Sequence, residues 1–386
     1  MEPSKDNSRI EPVLLPMASI ASCPAADSGA PPSPPRLDQP FVTGSVEGPS
    51  GKIPRVPSAL TRRDRLGSIK ARWGVGRMDY AVDPGLYALG SPDGGSPVLV
   101  TANYKMSFDC LREALPGLNA WILVLDTLGI NVWCAAGKGT FGTEELLRRI
   151  EASGLKDVVK HRDLVLPQLG APGVSAHLVR KRSGFKVHYG PILARDLPAY
   201  LEAGLKATAE MRRKNFPLRE RAVLIPIELV AALKPAVVII PVLFLISGFG
   251  GEGGFVRNVI RDGLFSLAAF LLAVFSGAVL TPLLLPWLPG RAFSVKGLAV
   301  GLTGAVLLLL TWGGDADSRR DLLLGVAWLL LIPAFSAFLA MNFTGASTYT
   351  SLSGVKREMR WALPLEICAG LLGVAVLLLS RFWQGV

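Results

Sequence analysis

The sequence predicts an α/β domain with a largely parallel, Rossmann-like sheet, followed by an all-helical transmembrane domain of about five helices. Two observations carry this prediction. Between residues 61 and 210, short apolar runs of strand length alternate with amphipathic segments of helix length. From residue 223 to residue 386, the apolar runs are long enough to cross a bilayer. A basic linker, residues 211–222, separates the two parts.

The α/β part reads as an alternation of strands and helices. Apolar runs at residues 97–102 and 121–126 predict buried strands, as expected where helices cover both sheet faces. Residues 108–115 predict the helix between them, because Leu111 and Leu115 lie one turn apart. The other predicted strands lie near residues 129–134, 158–159, 164–166 and 185–189, and the other predicted helices begin near 143 and cover 174–182 and 197–205.

The first sixty residues have a different composition. They are rich in Pro, Ser, Gly and Ala, with a proline-rich run at residues 31–35. Such a segment buries too little apolar surface to offset the entropy lost on ordering. We therefore predict a disordered extension over residues 1–60.

Five apolar stretches are candidate membrane spans. The first carries Glu228 and Lys234, which are either functional intramembrane charges or interfacial residues of a span that starts late. Lys and Arg are concentrated on the side of the α/β part, which the positive-inside rule assigns to the cytoplasm. The prediction is a multi-pass protein of the cytoplasmic (inner) membrane with the α/β domain facing the cytoplasm. The spans cover residues 223–247, 263–288, 295–313, 321–341 and 362–382.

Charge and cysteine content exclude several classes of protein. The formal net charge of +11 is explained by basic residues beside the first span, between residues 212 and 221, so no nucleic-acid partner is predicted. The chain has four cysteines without any CxxC pair. This pattern argues against disulfide scaffolds, zinc ribbons and intrinsic iron–sulfur clusters. The cysteines are Cys23, Cys110, Cys134 and Cys368.

A glycine-rich stretch after a predicted strand, residues 129–143, is the strongest candidate for a site. Gly137–Gly142 matches the GxGxxG dinucleotide fingerprint, with Asp157 about twenty residues further on. That match is weak, because Asp157 precedes its predicted strand and the fingerprint follows two earlier strands. A P-loop is rejected, because Val132 occupies the position of its first glycine.

Cys134 offers a different chemistry at the same place. A single soft thiolate suits a metal that a macrocycle already holds, whereas zinc needs three or four protein ligands. The alternative is that Cys134 is a small buried residue, and that Trp133 and Phe141 belong to the core. The residues by themselves leave both interpretations open.

The run Asn131–Lys138, Asn-Val-Trp-Cys-Ala-Ala-Gly-Lys, resembles the signature of the corrinoid proteins of microbial mercury methylation. That family is similar in fold to the corrinoid domain of the corrinoid iron–sulfur protein of the acetyl-CoA pathway. Residues 100–109, 186–191 and 196–198 resemble further segments of the wider family. The resemblance covers roughly residues 60–205 and the apolar tail.

The resemblance implies a cofactor, a site and partners. The cofactor is a cobalamin-type corrinoid, bound base-off, with Cys134 as the lower axial ligand of cobalt and the catalytic residue. The implied activity is a corrinoid-dependent methyltransferase that carries a methyl group on cobalt and transfers it to Hg(II), forming methylmercury. A folate-type methyl-donor system and a ferredoxin-like [4Fe–4S] electron donor are the implied partners. The implied cofactor-binding residues are Asn131, Val132, Trp133, Cys134, Ala135, Ala136, Gly137, Lys138, Gly139, Thr140 and Phe141, with Thr101, Asn103 and, more weakly, Lys105 at the rim.

Two alternatives stay open. One is a membrane-anchored corrinoid methyl carrier of the acetyl-CoA-pathway type with another acceptor, although that pathway's protein needs an iron–sulfur cysteine cluster and a methyl-accepting barrel that this sequence lacks. The other is a nucleotide-binding membrane scaffold or transporter, supported by GxGxxG and the charges of the first span. The three histidines do not stand in the DxHxxG pattern of cobalamin domains and are expected to be structural or surface residues.

Overall fold

The computed structural model describes residues 33–250, 254–312, 318–346 and 352–382. Its α/β part is built on one seven-stranded sheet with the order β1-β2-β3-β5-β4-β6-β7. Apolar side chains on the two faces of the sheet form two separate core clusters, so the central strands are buried on both sides. The strands are β1 Gly44–Gly48, β2 Gly51–Val56, β3 Gly85–Leu89, β4 Val98–Ala102, β5 Ala120–Leu125, β6 Asp163–Leu166 and β7 Lys186–Tyr189.

The sheet is mixed. β4, β5, β6 and β7 form a continuous parallel block, but β1 pairs with β2 and β3 pairs with β5 in the antiparallel direction. The prediction of a largely parallel sheet therefore holds for the block that carries the motif. It is wrong for the other edge, where β3 is antiparallel to β5 and β1 is antiparallel to β2, although β2 and β3 are parallel to each other.

The hairpin also corrects the predicted disordered extension. β1 and β2 pair from Gly44 with Arg55 to Gly48 with Gly51, around a two-residue turn. Gly51 has a φ of +114°, a conformation that favours glycine. Ile53 and Val56 are buried in the core, so this segment gains the apolar burial that its composition alone did not suggest. Residues 1–32 of the predicted extension lie outside the described residues.

Seven helices pack on the sheet or connect its strands. The predicted strand near residues 129–134 is wrong, because Val132–Lys138 form a short helix capped by Asn131. The strand predicted at residues 158–159 is also wrong, since Leu155–Val158 form one helical turn. The other elements predicted for this part are confirmed within a few residues. The helices are α1 Arg62–Arg72, α2 Lys105–Glu113, α3 Val132–Lys138, α4 Thr143–Ala152, α5 Leu155–Val158, α6 Ala176–Ser183 and α7 Leu197–Glu202.

A buried ion network joins α1 to α2. The Nζ atom of Lys105 lies 2.8 Å from Oδ1 of Asp64 and 2.6 Å from Oδ1 of Asp109. Arg112 completes the network, 2.9 Å from Oδ2 of Asp64 and 2.8 Å from Oδ1 of Asp109. Side chains at all four positions are at most 8% exposed. The two acids and two bases balance, as buried charges require.

From Leu218 onward, the part of the chain that the structure describes is mostly helical. Within the described residues, four helices are long and apolar enough to cross a membrane, and a fifth span results if α8 and α9 count as one. α8 and α9 bend by 51° at Lys234–Pro235, where proline cannot donate a backbone hydrogen bond. Length and composition thus agree with the predicted count of about five and are compatible with a membrane location. The helices are α8 Leu218–Leu233, α9 Ala236–Gly248, α10 Phe255–Leu284, α11 Phe293–Thr311, α12 Arg319–Asn342 and α13 Leu352–Phe382.

Candidate functional site

The turn between β5 and the cysteine motif is held by Asn103. Its Oδ1 accepts hydrogen bonds from the backbone N–H groups of Thr127 at 3.1 Å and Gly129 at 3.0 Å. It also accepts one from the Thr127 hydroxyl at 2.8 Å. Leu128 and Gly129 both have positive φ angles, 57° and 70°, so the turn needs this support. Asn103, predicted to bind cofactor, thus directs its polar atoms to the turn and fixes where α3 begins.

Asn131 starts α3 and orders the backbone at the cysteine. Its Oδ1 accepts the backbone N–H of Cys134 at 3.0 Å, which is a side-chain N-cap. Cys134 itself is half-buried, and its thiol is free. Two turns later, α3 ends at Gly139, whose φ of 84° is the left-handed conformation usual for a helix C-cap. The motif is therefore a capped helix of fixed length, with the cysteine in its first turn.

The residues after Cys134 divide into a buried and an open face. Ala135 and Ala136 are buried in the core, at 0% and 6% exposure. Gly137 lies on the open face, where an added Cβ would meet no atom within 4 Å. Lys138 and Gly139 are exposed, and Thr140 is half-buried. Gly137 therefore leaves a gap without a side chain on the open face of α3.

Phe141 is a core residue. It is fully buried, and its backbone N–H donates to the carbonyl of Ala135 at 3.2 Å. Two glycines make room for it: a Cβ at Gly170 would lie 2.5 Å from its ring, and one at Gly173 would lie 2.0 Å from its carbonyl oxygen. Phe141, which was predicted to contact the cofactor, thus packs in the core and anchors the end of the motif.

A cavity of about 420 Å³ lies at the carboxyl ends of β4, β6 and β7. This is the edge of a parallel sheet at which α/β proteins bind their ligands, and the volume lies in the range of small-molecule sites. Four predicted site residues line it, and α8 supplies an apolar wall that the sequence did not indicate. The predicted residues are Thr101, Asn131, Val132 and Trp133, and the α8 residues are Val223, Leu224 and Ile227.

Cys134 directly follows three of these wall residues, although it does not itself line the cavity. Lys105 is also absent from the wall, because its ammonium group is committed to the buried ion network. Trp133, which is 36% exposed, lies at the mouth between the cavity and the open face of α3. The motif therefore presents two adjoining surfaces, an enclosed apolar one and an open one beside the thiol.

The dinucleotide interpretation loses its structural basis. The fingerprint requires a strand to run directly into the glycine-rich turn, so that the phosphate meets the start of the next helix. Here Gly139–Gly142 connects helix α3 to helix α4. The fingerprint also places an acidic residue at the end of the next strand. Asp157, the candidate for that residue, lies instead within the single turn of α5.

The cavity contains a polar group that the sequence patterns did not indicate. Tyr104, at the N-cap of α2, is 5% exposed, and its hydroxyl has no hydrogen-bond partner among the residues that the structure describes. Burial raises its pKa, against the opposing effects of Arg77 and Arg72. Its position directly after the carboxyl end of β4 is the signal that could have revealed it.

The three histidines make structural or surface contacts, and His177 is an exposed residue beside Ser175. His161 contacts the carbonyl of Ser96 at 2.9 Å, and His188 contacts Asp163 at 2.7 Å. Among the described residues, no group of three His, Cys, Asp or Glu side chains could hold a metal ion. A lone half-buried thiol beside an open surface fits a metal that brings its own equatorial ligands, and it does not fit zinc.

Comparison with known proteins relates the α/β part to one family. Residues 75–198 match the family model described as CO dehydrogenase/acetyl-CoA synthase delta subunit. The acetyl-CoA decarbonylase/synthase complex subunit gamma of Methanopyrus kandleri is 37% identical over 128 residues, which is 33% of this chain and 27% of that protein. The gamma subunit of Archaeoglobus fulgidus is 30% identical over 146 residues, 37% of this chain and 28% of the relative. Subunit gamma 2 of Methanosarcina thermophila is 33% identical over 133 residues, which is 33% of this chain and 27% of that protein.

The chain thus spans about a quarter of the length of these relatives. The family match runs from just before β3 to the start of α7. It therefore includes the parallel block, the cysteine motif and most of the cavity wall. It does not include α8, which completes the wall.

Proposed function

We propose that the α/β part binds a corrinoid and that the chain is a corrinoid-dependent methyl carrier of the acetyl-CoA-pathway type. One observation carries the proposal: the family match over residues 75–198 includes most of the cavity wall at the sheet edge together with the motif Asn131–Lys138. The corrinoid, when bound, supplies the cobalt that carries the methyl group. The protein supplies its orientation and its lower ligand.

Cys134 is the proposed lower axial ligand. Its thiol is free and half-buried, and the Asn131 cap fixes the backbone that carries it. The gap at Gly137 gives a flat ring room to approach. When bound to the metal, the electron-rich sulfur of Cys134 would tune the transfer of a group that the metal carries. Within this proposal, the core residues Ala135, Ala136 and Phe141 support α3 from behind.

Two acceptors fit this carrier. The comparisons support a carrier of the acetyl-CoA pathway more directly, because the Methanopyrus, Archaeoglobus and Methanosarcina relatives are all subunits of the acetyl-CoA decarbonylase/synthase complex. Hg(II) is the second candidate, favoured by the resemblance of Asn131–Lys138 to the mercury-methylation signature. For either acceptor, a folate-type methyl donor and a ferredoxin-like electron donor are the proposed partners. The proposed location is the cytoplasmic membrane, with the α/β part on the cytoplasmic side.

The test begins with the full chain, purified anaerobically in detergent and incubated with cobalamin. We expect corrin absorption bands to stay with the protein through gel filtration, in a ratio of about one corrinoid per chain. Methyl transfer from a methylated folate donor is then measured with Hg(II) and with an acetyl-CoA synthase as separate acceptors. A protein that elutes colourless would refute corrinoid binding. Transfer to only one acceptor would decide between the two candidates.

A larger side chain on α8 that fills the cavity should prevent the protein from binding the corrinoid. Val223 lines the cavity, and Val223→Trp would place an indole ring in the empty space. We expect corrinoid uptake to fall at least about tenfold, because losing the apolar contacts of even one or two side chains costs that much affinity. Val237→Trp is the matched control, since Val237 on α9 is 77% exposed. Equal uptake by both variants would show that α8 is not part of the binding site.

A further inference from the structure

Two arginines lie on the wall of the cavity beside Tyr104. Arg72 is the last residue of α1, and Arg77 follows in the loop to β3. Neither forms an ion pair with a carboxylate in the described part of the chain, whereas Arg112 pairs with both Asp64 and Asp109. Arg77 donates one long hydrogen bond, of 3.4 Å, to the carbonyl of Ala71. The guanidinium group of Arg77 lies 5.7 Å from the centre of the Tyr104 ring. Positive charge therefore borders the cavity without a matching anion.

Glu228 of α8 interacts electrostatically with Arg77, but it does not line the cavity and forms no ion pair with Arg77 in the described part of the chain. One carboxylate does not neutralise two guanidinium groups, so the wall keeps a net positive charge. Arginines that have no carboxylate partner beside an apolar cavity are suited to an anionic ligand. The planar guanidinium group can donate two parallel hydrogen bonds to the oxygens of a phosphate.

The hydroxyl of Tyr104 points to the same kind of ligand. It is buried and unpartnered within the described residues, and buried hydroxyl groups nearly always find a partner. Most of the remaining wall is apolar, with Leu99, Val165 and Leu197 buried around the cavity. A ligand that combines a flat apolar group with a phosphate ester would satisfy the arginines, the hydroxyl and the apolar wall together.

We propose that Arg72, Arg77 and Tyr104 bind the phosphodiester of the ligand that occupies this cavity. Resting on the proposed function, that phosphodiester belongs to the nucleotide arm of a cobalamin-type corrinoid, with its aromatic base in the apolar part of the cavity. The arm is free to enter because the corrinoid is proposed to be base-off. A phospholipid headgroup has the same chemistry, and the experiment must separate the two sources.

The test compares cobalamin with cobinamide, which has the corrin ring but no phosphodiester or base. Both are titrated into the full chain in neutral nanodiscs, and binding is followed by visible absorption. For Arg72→Gln/Arg77→Gln, we expect cobalamin affinity to fall about tenfold or more, since hydrogen bonds to charged groups are strong. Cobinamide affinity should change less than about twofold. Arg180→Gln is the control, because Arg180 is an exposed arginine on α6.

Tyr104→Phe provides an independent readout. Removing a buried hydroxyl that has no partner should leave the melting temperature of the corrinoid-free protein unchanged or raise it. The same substitution should weaken cobalamin binding severalfold and leave cobinamide binding unchanged. Tyr200→Phe is the control, since Tyr200 is equally buried but does not line the cavity.

The outcomes separate this inference from the proposed function. If the unsubstituted protein bound neither corrinoid, the proposed function would fail and the inference with it. If it bound both with equal affinity, and the arginine and tyrosine variants did the same, only the phosphodiester site would be refuted. If the arginine variants bound anionic-lipid nanodiscs more weakly than the unsubstituted protein but bound cobalamin equally well, the arginines would be assigned to a lipid headgroup. That result would also overturn the inference.

Discussion

Replacing Cys134 with alanine is expected to abolish methyl transfer and leave the α/β domain folded. The side chain is half-buried, and the hydrogen bond at this position is donated by the backbone N–H to Asn131, so alanine preserves it. The free energy of unfolding should therefore change by less than about 1 kcal/mol. Loss of the sulfur should lower the transfer rate at least about a hundredfold, because even indirect changes around metal ligands cost 10–100-fold. Cys134→His should retain some corrinoid.

Cys110→Ala is the matched control for this prediction. Cys110 is the second free thiol near the site, and it lines the cavity from α2. Although Cys110 is exposed, desolvation of the sulfur, followed by the neighbouring Glu113 carboxylate, raises the pKa of this thiol, which makes it a poorer metal ligand than an ordinary cysteine. We expect Cys110→Ala to keep its transfer rate and its corrin spectrum. If Cys110→Ala lost both while Cys134→Ala kept them, the axial ligand would have to be Cys110.

Lys105→Met is expected to destabilise the α/β domain strongly. Lys105 donates to Asp64 and Asp109, and its loss leaves two buried carboxylates facing Arg112 alone. Breaking a buried ion network by removing one partner typically costs about 3–5 kcal/mol. Thermal unfolding of the full chain in detergent measures the effect, with Lys181→Met as the control because Lys181 is an exposed lysine on α6. If Lys105→Met were as stable as the unsubstituted protein but bound the corrinoid more weakly, Lys105 would be a cofactor-binding residue and its structural role would be refuted.

The same network predicts how stability depends on pH. Burial raises the pKa of Asp64, but hydrogen bonds from Lys105 and Thr61 outweigh it and hold the pKa well below its ordinary value. A carboxyl whose pKa is lowered by folding contributes stability above its unfolded pKa of about 3.9, and loses it as the pH falls further. The unsubstituted protein should therefore lose stability steeply below about pH 4. Lys105→Met should show a shallower loss there, because the main interaction that lowers the Asp64 pKa is gone.

The wall formed by α8 links the helical part of the chain to the site. Ile227 lines the cavity and would lie 3.4 Å from a Cβ at Gly74, in the loop after α1. The first apolar helix therefore packs directly on the α/β part at the cavity. A corrinoid bound there would contact residues from both sides of the basic linker. In this arrangement α8 contributes side chains to the wall of the cavity itself.

Local sequence patterns determined much of this protein. The apolar runs of β4 and β5 and the period of α4 were readable because a fully buried strand and an amphipathic helix each leave a short-range signature. The long apolar helices were readable for the same reason, since crossing a bilayer requires an uninterrupted run. The motif Asn131–Lys138 was also visible in the sequence, as a soft ligand followed by small residues.

Tertiary structure decided the rest. Asn131 and the buried alanines made α3 a helix, where Val132 and Trp133 had suggested a strand. Lys105 became structural through Asp64, which is 41 residues away, and the polar atoms of Asn103 turned to a loop more than 20 residues away. Likewise the cavity gained Tyr104, two arginines and a wall from α8 only once distant segments met. A sequence pattern reports which face of one element is apolar, whereas the partner of a buried charge or hydroxyl depends on which other elements pack against it.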